Sequence, residues 1–240
     1  MRNRIALAAA AAAGLFSLTA VPASAAPADG TPTGPAATGA GEACADVKLS
    51  GALPVPPPGM AVRQQVTIGP DCTPVLGPAR LVSKAGPKTE AAATSAAAGS
   101  TAAGAVTSGT RQVRSRSEMY DCCNIRMTGL YTTSSWDADG TTVTAVSTDA
   151  TQEWNREPWN AGWSLESSGK STDCLTDCAV SHNEAHAEFS YQGLFDPSGD
   201  WYANTHHSYV TLNADGTASC RFDVELKHSF IGWNWQRGCE

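Results

Sequence analysis

The chain has 240 residues, with 16 basic and 23 acidic side chains and a net charge of −7. Leu, Ile, Val and Phe together account for 36 of the 240 residues. This share is below the roughly 20% that a well-filled globule usually needs, which excludes one uniform core over the whole chain. The acidic balance disfavours a nucleic-acid-binding or polybasic membrane-surface protein, because both need an excess of Lys and Arg.

Residues 1–25 have the three-part layout of a secretory signal peptide. A basic start at residues 1–4 precedes an apolar stretch at residues 5–19, and residues 23–25 supply the small side chains of a cleavage site. A retained membrane anchor is the alternative. No later stretch approaches the roughly 20 apolar residues of a membrane span. We therefore expect a secreted, extracellular protein with no membrane span in the mature chain.

Composition divides the next part of the chain into three segments. Residues 26–42 are mainly Pro, Gly, Ala and Thr and are predicted to be a disordered leader. Residues 62–68 alternate between apolar and polar, which favours a strand, and residues 43–83 are predicted to be a small β unit closed by a disulfide. Residues 84–112, of which 22 of 29 are Ala, Gly, Ser or Thr, are predicted to be a low-complexity linker. Such alanine-rich segments are typical of exported proteins from high-GC bacteria.

Residues 113–240 contain every Trp, Tyr and His of the chain and are predicted to be a disulfide-stabilised antiparallel β domain. Residues 137–141 and 213–217 each start with Asp or Asn and carry Gly three residues later, which is typical of a hairpin turn with a glycine bulge. Residues 180–192 alternate and predict a further strand, which reaches the last hairpin through a turn at 196–199. The sequence therefore predicts an all-β fold, with an antiparallel sandwich or an open barrel in this domain.

Two segments of this domain do not follow the strand pattern. Residues 151–162 contain Pro158 and several Trp and are predicted to be an irregular aromatic loop. Asp137 and Asp139 allow a calcium loop as an alternative to a plain turn, but such a loop needs a third ligand and a later Glu that this segment lacks.

The chain has eight cysteines, an even number that predicts a disulfide framework in an exported protein: Cys44, Cys72, Cys122, Cys123, Cys174, Cys178, Cys220 and Cys239. Cys44 and Cys72 stand before the linker and are predicted to pair with each other. Cys220 is predicted to pair with Cys239, which ties the last long strand to the end of the chain.

The remaining four cysteines leave more than one arrangement open. Cys122 and Cys123 point in opposite directions on an extended backbone, so we expect them to take separate partners, Cys174 and Cys178. A zinc site at Cys174 and Cys178 is the alternative, because their spacing falls in the range of zinc ligand pairs.

Strand alternation places His186, Glu188, His207 and Asp223 on one solvent-facing side of the predicted sheet, with His207 between Glu188 and Asp223. Imidazoles with carboxylates can bind a divalent metal or form a general base of tuned pKa. The simpler interpretation, which we favour, is an ordinary solvated sheet face. We therefore predict no metal and no cofactor.

Seven Trp are dense for a domain of this length, and five of them are candidate binding residues: Trp154, Trp159, Trp163, Trp233 and Trp235. Exposed indoles beside polar groups grip sugar rings or partner proteins. The alternative is that they fill a core that lacks Leu and Ile.

The main function hypothesis is a secreted, non-catalytic binding module that recognises a polysaccharide or an extracellular protein through Trp-rich loops. The second hypothesis is a small secreted hydrolase, metal-assisted or acid/base, that uses His186, Glu188, His207 and Asp223. A protease inhibitor is a third, although no inhibitory loop is evident. No motif indicates a covalent nucleophile.

Overall fold

The computed structural model describes residues 43–54, 56–57, 59–84, 110–157, 161–193 and 196–240. The predicted signal peptide (1–25), the leader (26–42) and nearly all of the linker (84–112) lie outside the described residues. Arg111 and Gln112, which were assigned to the linker, are the first residues of a strand.

The described residues form fifteen strands and no helix. The strands are β1 (Ala43–Cys44), β2 (Val47–Leu53), β3 (Met60–Ile68), β4 (Pro74–Leu76), β5 (Arg80–Ser83), β6 (Arg111–Tyr120), β7 (Arg126–Ala138), β8 (Val143–Trp154), β9 (Arg156–Glu157), β10 (Ala161–Thr172), β11 (Val180–Gln192), β12 (Ala203–Asn213), β13 (Ala218–Lys227), β14 (Ser229–Phe230) and β15 (Asn234–Cys239).

The strands build two large antiparallel sheets that are not closed into a barrel, and β1 pairs with β14 in a separate two-stranded sheet. The six-stranded sheet has the order β2-β13-β12-β11-β10-β9, and the seven-stranded sheet has the order β4-β3-β15-β6-β7-β8, with β5 paired to β3. Side chains on the facing sides are buried: along β12, buried residues alternate with partly exposed ones over the whole strand. The all-β prediction is confirmed.

The two predicted hairpins are present as β7–β8 and β12–β13. Gly140 and Gly216 adopt positive φ values of 96° and 85°, the conformation for which these turns need glycine. Asp139 accepts hydrogen bonds from the amides and hydroxyls of Thr141 and Thr142, so the turn itself occupies the carboxylate that a calcium loop would need.

Residues 43–83 do not form a sheet of their own. Strand β2 pairs with β13 at one edge of the six-stranded sheet, and β3 pairs with β15 inside the seven-stranded sheet. The predicted small unit is therefore part of the same sandwich as residues 110–240, because each of its two main strands joins a different one of the two large sheets.

The predicted aromatic loop at 151–162 is largely strand. Residues up to Trp154 belong to β8, and β9 and the start of β10 follow. Strand β10 pairs with β11 over most of its length. Its run of Ser and Gly hides a strand pattern, because small polar side chains give little alternation in hydropathy.

Three disulfides are present: Cys44–Cys72, Cys174–Cys178 and Cys220–Cys239. The first and third confirm the predictions. The predicted bonds from Cys122 and Cys123 to Cys174 and Cys178 are wrong, since Cys174 and Cys178 bond to each other and Cys122 and Cys123 are exposed free thiols. Because Cys174 and Cys178 form a disulfide across a short bend, they supply no thiolates for the alternative zinc site.

Candidate functional site

The predicted histidine surface exists on the outer side of the six-stranded sheet. His207 lies directly opposite His186 on one neighbouring strand and Asp223 on the other, and the two imidazole centres are 6.0 Å apart. Glu188 is two residues out of the predicted register, because it pairs with Thr205 rather than with His207.

The polar groups of this surface are bonded to one another. Nδ1 of His207 lies 3.0 Å from a carboxylate oxygen of Glu184, a residue that the sequence analysis did not select. Asp223 accepts a hydrogen bond from Ser50 and one from Arg221. Ser167 donates to Glu188. The carboxylates that would activate a base or hold a metal are thus engaged by neighbouring side chains.

No group of three or more His, Cys, Asp or Glu side chains in the described part of the chain is placed to hold a metal ion. His186 instead leans over Gly169, where an added Cβ would lie 2.6 Å from the imidazole. His207 stacks along Tyr209. This arrangement is the one expected of a solvated sheet face with cross-strand pairs.

Three of the five candidate binding indoles are in the core. Trp163, Trp233 and Trp235 expose 6%, 7% and 0% of their surface, so they offer no face to a ligand and this part of the prediction is corrected. The physical reason is the shortage of large aliphatic side chains, which Trp replaces as core filler. Trp159 lies outside the described residues.

Trp154 is half-buried between the two sheets' edges. Its ring packs 6.2 Å from that of Phe189, and the guanidinium of Arg156 lies 4.5 Å above it. Among the described residues, the exposed indole is that of Trp201, which is not one of the five candidates: it is 58% exposed and stacks on His228 with ring centres 4.9 Å apart.

The seven-stranded sheet carries a different candidate site on its outer side, which we call the arginine cleft. It is a cavity of about 250 Å³. The side chains and backbone that shape it come from four strands: Arg63 on β3, Arg114 and Arg116 on β6, Tyr131 on β7, and Gly238 of β15 with Glu240 just beyond it.

Strand register produces the cleft. Gly238 lies directly between Arg63 and Arg116, and Arg116 lies directly opposite Tyr131. Arg80 extends the same row, since it pairs with Arg63. Arg80, Arg63 and Arg116 thus lie in one row across the strands. Arg114, two residues before Arg116 on β6, lies on the same side of the sheet.

Gly238 forms the floor of the cleft. A Cβ at this position would lie 2.8 Å from Nε and 3.1 Å from Cγ of Arg116, which shows that the arginine lies flat over the glycine. Tyr131 lies flat over Gly129 in the same way, with contacts of 3.1 Å to an added Cβ. The two glycines therefore allow Arg116 and Tyr131 to lie close against the sheet.

A bonded network closes one side of the cleft. The hydroxyl of Tyr131 donates to Glu118, and Arg126 donates to the Tyr131 hydroxyl at 2.9 Å. Burial, followed by the bond to Glu118, raises the pKa of Tyr131, so the phenol stays neutral and fixed. Glu118 also lies 3.6 Å from Arg116, which gives this arginine a counter-charge.

The other arginines lack such a counter-charge. Within the described residues, Arg63, Arg80 and Arg114 have no carboxylate at ion-pair distance. Burial and the nearby charge of Arg116 lower the pKa of Arg63, although Glu240 opposes this shift. Like charges opposite each other destabilise a sheet. An anion bound in the cleft would relieve that repulsion.

The arginine cleft has almost no signature in the local sequence. Arg114 and Arg116 have the two-residue spacing that puts both on one face of a strand, which is the only local signal. Arg63 and Gly238 are far away in the chain, and their places beside Arg116 depend on how β3, β15 and β6 pair.

A helix long and apolar enough to span the membrane does not occur among the residues that the structure describes. Comparisons of the chain with protein-family models, with curated proteins and with solved structures found no match.

Proposed function

We propose that the chain is a secreted, non-catalytic binding module that recognises an acidic polysaccharide in the arginine cleft. The observation that carries this proposal is the convergence of Arg63, Arg114 and Arg116 around the glycine floor of the cleft, in a chain whose net charge is −7. Of the three, only Arg116 has a carboxylate at ion-pair distance within the described residues. Three arginines line this cavity although the protein is acidic overall, and like charges placed together are costly unless a ligand neutralises them.

Carboxylated sugars fit the chemistry of the cleft. Guanidinium groups match carboxylates with two parallel hydrogen bonds, which favours Arg63 and Arg116 as partners of one uronate carboxylate. Tyr131 supplies a flat ring beside them, and Thr133 adds a hydroxyl at the rim. The cavity of about 250 Å³ suits one sugar residue of a longer polymer rather than a folded partner.

Secretion is part of the proposal. The segment 1–25 has the layout of an export signal. Three disulfides support an oxidising location, because such bonds rarely persist in the cytosol. Binding outside the cell would then bring the cleft to polymers of a cell surface or an extracellular matrix.

The test is a titration of the mature protein with oligogalacturonate at low salt. We expect saturable binding that weakens as salt rises, since exposed charges are screened. The double substitution R63A/R116A should weaken binding at least tenfold, because hydrogen bonds to a charged partner contribute about 1.5–3 kcal/mol each. R221A removes an exposed arginine from the other sheet and should change the affinity less than twofold.

A second variant separates shape from charge. G238L keeps every arginine but places a side chain on the floor where Arg116 lies, so it should weaken binding at least as much as R63A/R116A does. Equal binding of a neutral polymer such as dextran, or full binding by G238L, would contradict the cleft as the site. Preference for a sulfated polymer over the carboxylated one would contradict the uronate assignment.

A further inference from the structure

Cys122 and Cys123 stand apart from the other cysteines of the chain. All eight cysteines are described, and the remaining six form the three disulfides. Both thiols are exposed in the connection between β6 and β7, and their sulfur atoms lie 3.6 Å apart. They are the two thiols of the molecule that solvent and small reagents can reach together.

The connection is a tight turn and not the extended segment that the sequence analysis assumed. Asp121 holds it, because one of its carboxylate oxygens accepts hydrogen bonds of 2.8 Å from the amides of Cys123 and Ile125. Asn124 takes a positive φ of 62°, which reverses the chain. On an extended strand neighbouring side chains point apart. In this turn they point to the same side.

We propose that Cys122 and Cys123 are a reversible redox site, which closes to a disulfide between neighbouring residues by exchange with a low-molecular-weight disulfide. In the first step the thiolate of one cysteine attacks a sulfur of the small disulfide, and one small thiol leaves. In the second step the thiolate of the other cysteine attacks the cysteine sulfur of this mixed disulfide, the bond to the small molecule breaks, and the second small thiol leaves. Two electrons pass to the small disulfide, and the two cysteine protons end on the released thiols.

Adjacency makes this bond different from the other three. Neighbouring Cα atoms across a trans peptide are about 3.8 Å apart, below the usual range of roughly 4.4–6.8 Å for disulfides. The Cα atoms of the existing bonds are 5.6, 6.4 and 5.9 Å apart. A bond outside the usual geometry is more easily reduced, and exposed bonds of this kind are the labile ones. The pair is therefore suited to switching rather than to holding the fold.

The disulfide between Cys122 and Cys123 should form faster than the competing products. The second sulfur is already 3.6 Å away, so its effective concentration far exceeds that of any thiol in solution. The competing products are a disulfide between two protein molecules and a lasting mixed disulfide with the small thiol. Either product would form only if the neighbouring cysteine did not attack the mixed disulfide first.

In the experiment, protein in which Cys122 and Cys123 are reduced is treated with oxidised glutathione. The remaining thiols are blocked with N-ethylmaleimide, and the protein is digested with trypsin. Cleavage after Arg116 and Arg126 releases residues 117–126, a peptide that holds Cys122 and Cys123 and no other cysteine. By mass spectrometry, we expect this peptide to carry no N-ethylmaleimide and to be lighter than the reduced peptide by two hydrogen atoms. Less than a tenth of it should carry glutathione. In C122S and C123S, which serve as matched variants, the glutathione adduct should become the main product.

A second measurement tests reversibility. Reduced glutathione should reopen the 117–126 peptide at a thiol-to-disulfide ratio at least tenfold below the ratio that opens Cys44–Cys72 or Cys220–Cys239. Stable adducts on both cysteines of the wild-type protein, disulfide-linked dimers as the main product, or a closed pair that resists reduction like the other bonds would each overturn the proposal. The double variant C122S/C123S, checked by circular dichroism, is the control that the protein keeps its fold without these thiols.

Discussion

His206 is completely buried between the two sheets, where its ring joins a chain of hydroxyl groups. Nδ1 lies 2.9 Å from the hydroxyl of Ser117, and Nε2 lies 2.9 Å from that of Thr128. Trp235 donates its indole N–H to the same Ser117. Buried polar groups are tolerable when each has a partner, so this network occupies interior space for which the chain has few large aliphatic side chains.

His206 makes stability depend on pH. Burial, with a smaller effect from the nearby His207, lowers the pKa of His206 to about 3. In the unfolded chain a histidine titrates near pH 6.5. As the pH falls below 6.5 the unfolded state takes up a proton that the folded state refuses, so stability that is complete above pH 6.5 is lost progressively on acidification. The loss is about 1.4 kcal/mol per pH unit, or about 3 kcal/mol between pH 6.5 and 4.

Urea denaturation at a series of pH values measures this loss. The variant H206Q, although less stable at pH 7, should show a shallower fall of the unfolding free energy between pH 6.5 and 4, by close to one proton. H182Q replaces an exposed histidine and should keep the wild-type slope. Identical slopes for H206Q and the wild type would show that His206 is protonated in the folded protein.

At the scale of elements, β15 connects the parts of the fold. It lies between β3 and β6 in the seven-stranded sheet, although it is the last strand of the chain. Cys239 at its end bonds to Cys220 of β13 in the opposite sheet, and both residues are fully buried. This bond therefore joins the two sheets, whereas Cys174–Cys178 closes a bend of a few residues on the surface.

Removal of each bond should reflect this difference. The double substitution C220A/C239A should lower the free energy of unfolding by about 3 kcal/mol or more, because it opens a longer loop and leaves space in the core. C174A/C178A opens a short loop and should cost about 2 kcal/mol or less. Urea denaturation of both variants gives the comparison, and an equal or larger cost for C174A/C178A would contradict the inter-sheet role of Cys220–Cys239.

At the scale of the whole molecule, the two ends of the described chain depend on each other. Strand β2 covers one edge of the six-stranded sheet, and β3 borders β15 in the seven-stranded sheet. Removal of residues 43–84 would therefore leave β13 and β15 each without one of its two neighbouring strands.

A cut chain tests this dependence. A protease site inserted between residues 85 and 109 would separate two fragments with no disulfide between them, since Cys44–Cys72 lies in the first and the other two bonds lie in the second. We expect the cleaved fragments to elute together in gel filtration and to separate only in denaturant. Separation under native conditions, with residues 110–240 still folded, would restore the two-domain interpretation.

The sequence by itself determined the features that arise from near neighbours in the chain. Alternation along 180–192 predicted β11 with the correct buried side, and the Asp/Asn-to-Gly turns predicted both hairpins, because strand period and turn chemistry act over a few residues. The pairing of Cys44 with Cys72 also followed, since the linker left each of them one simple partner.

Only the tertiary structure decided which strands lie side by side. The burial of Trp235, the place of β2 and β3 in two different sheets, and the meeting of Arg63, Gly238 and Arg116 all depend on pairings between segments far apart in the chain. Local patterns carry no record of such pairings, because a strand presents the same alternation to any neighbour. Cys122 and Cys123 show the same limit at short range: a turn held by Asp121 overrode the extended backbone that their sequence suggested.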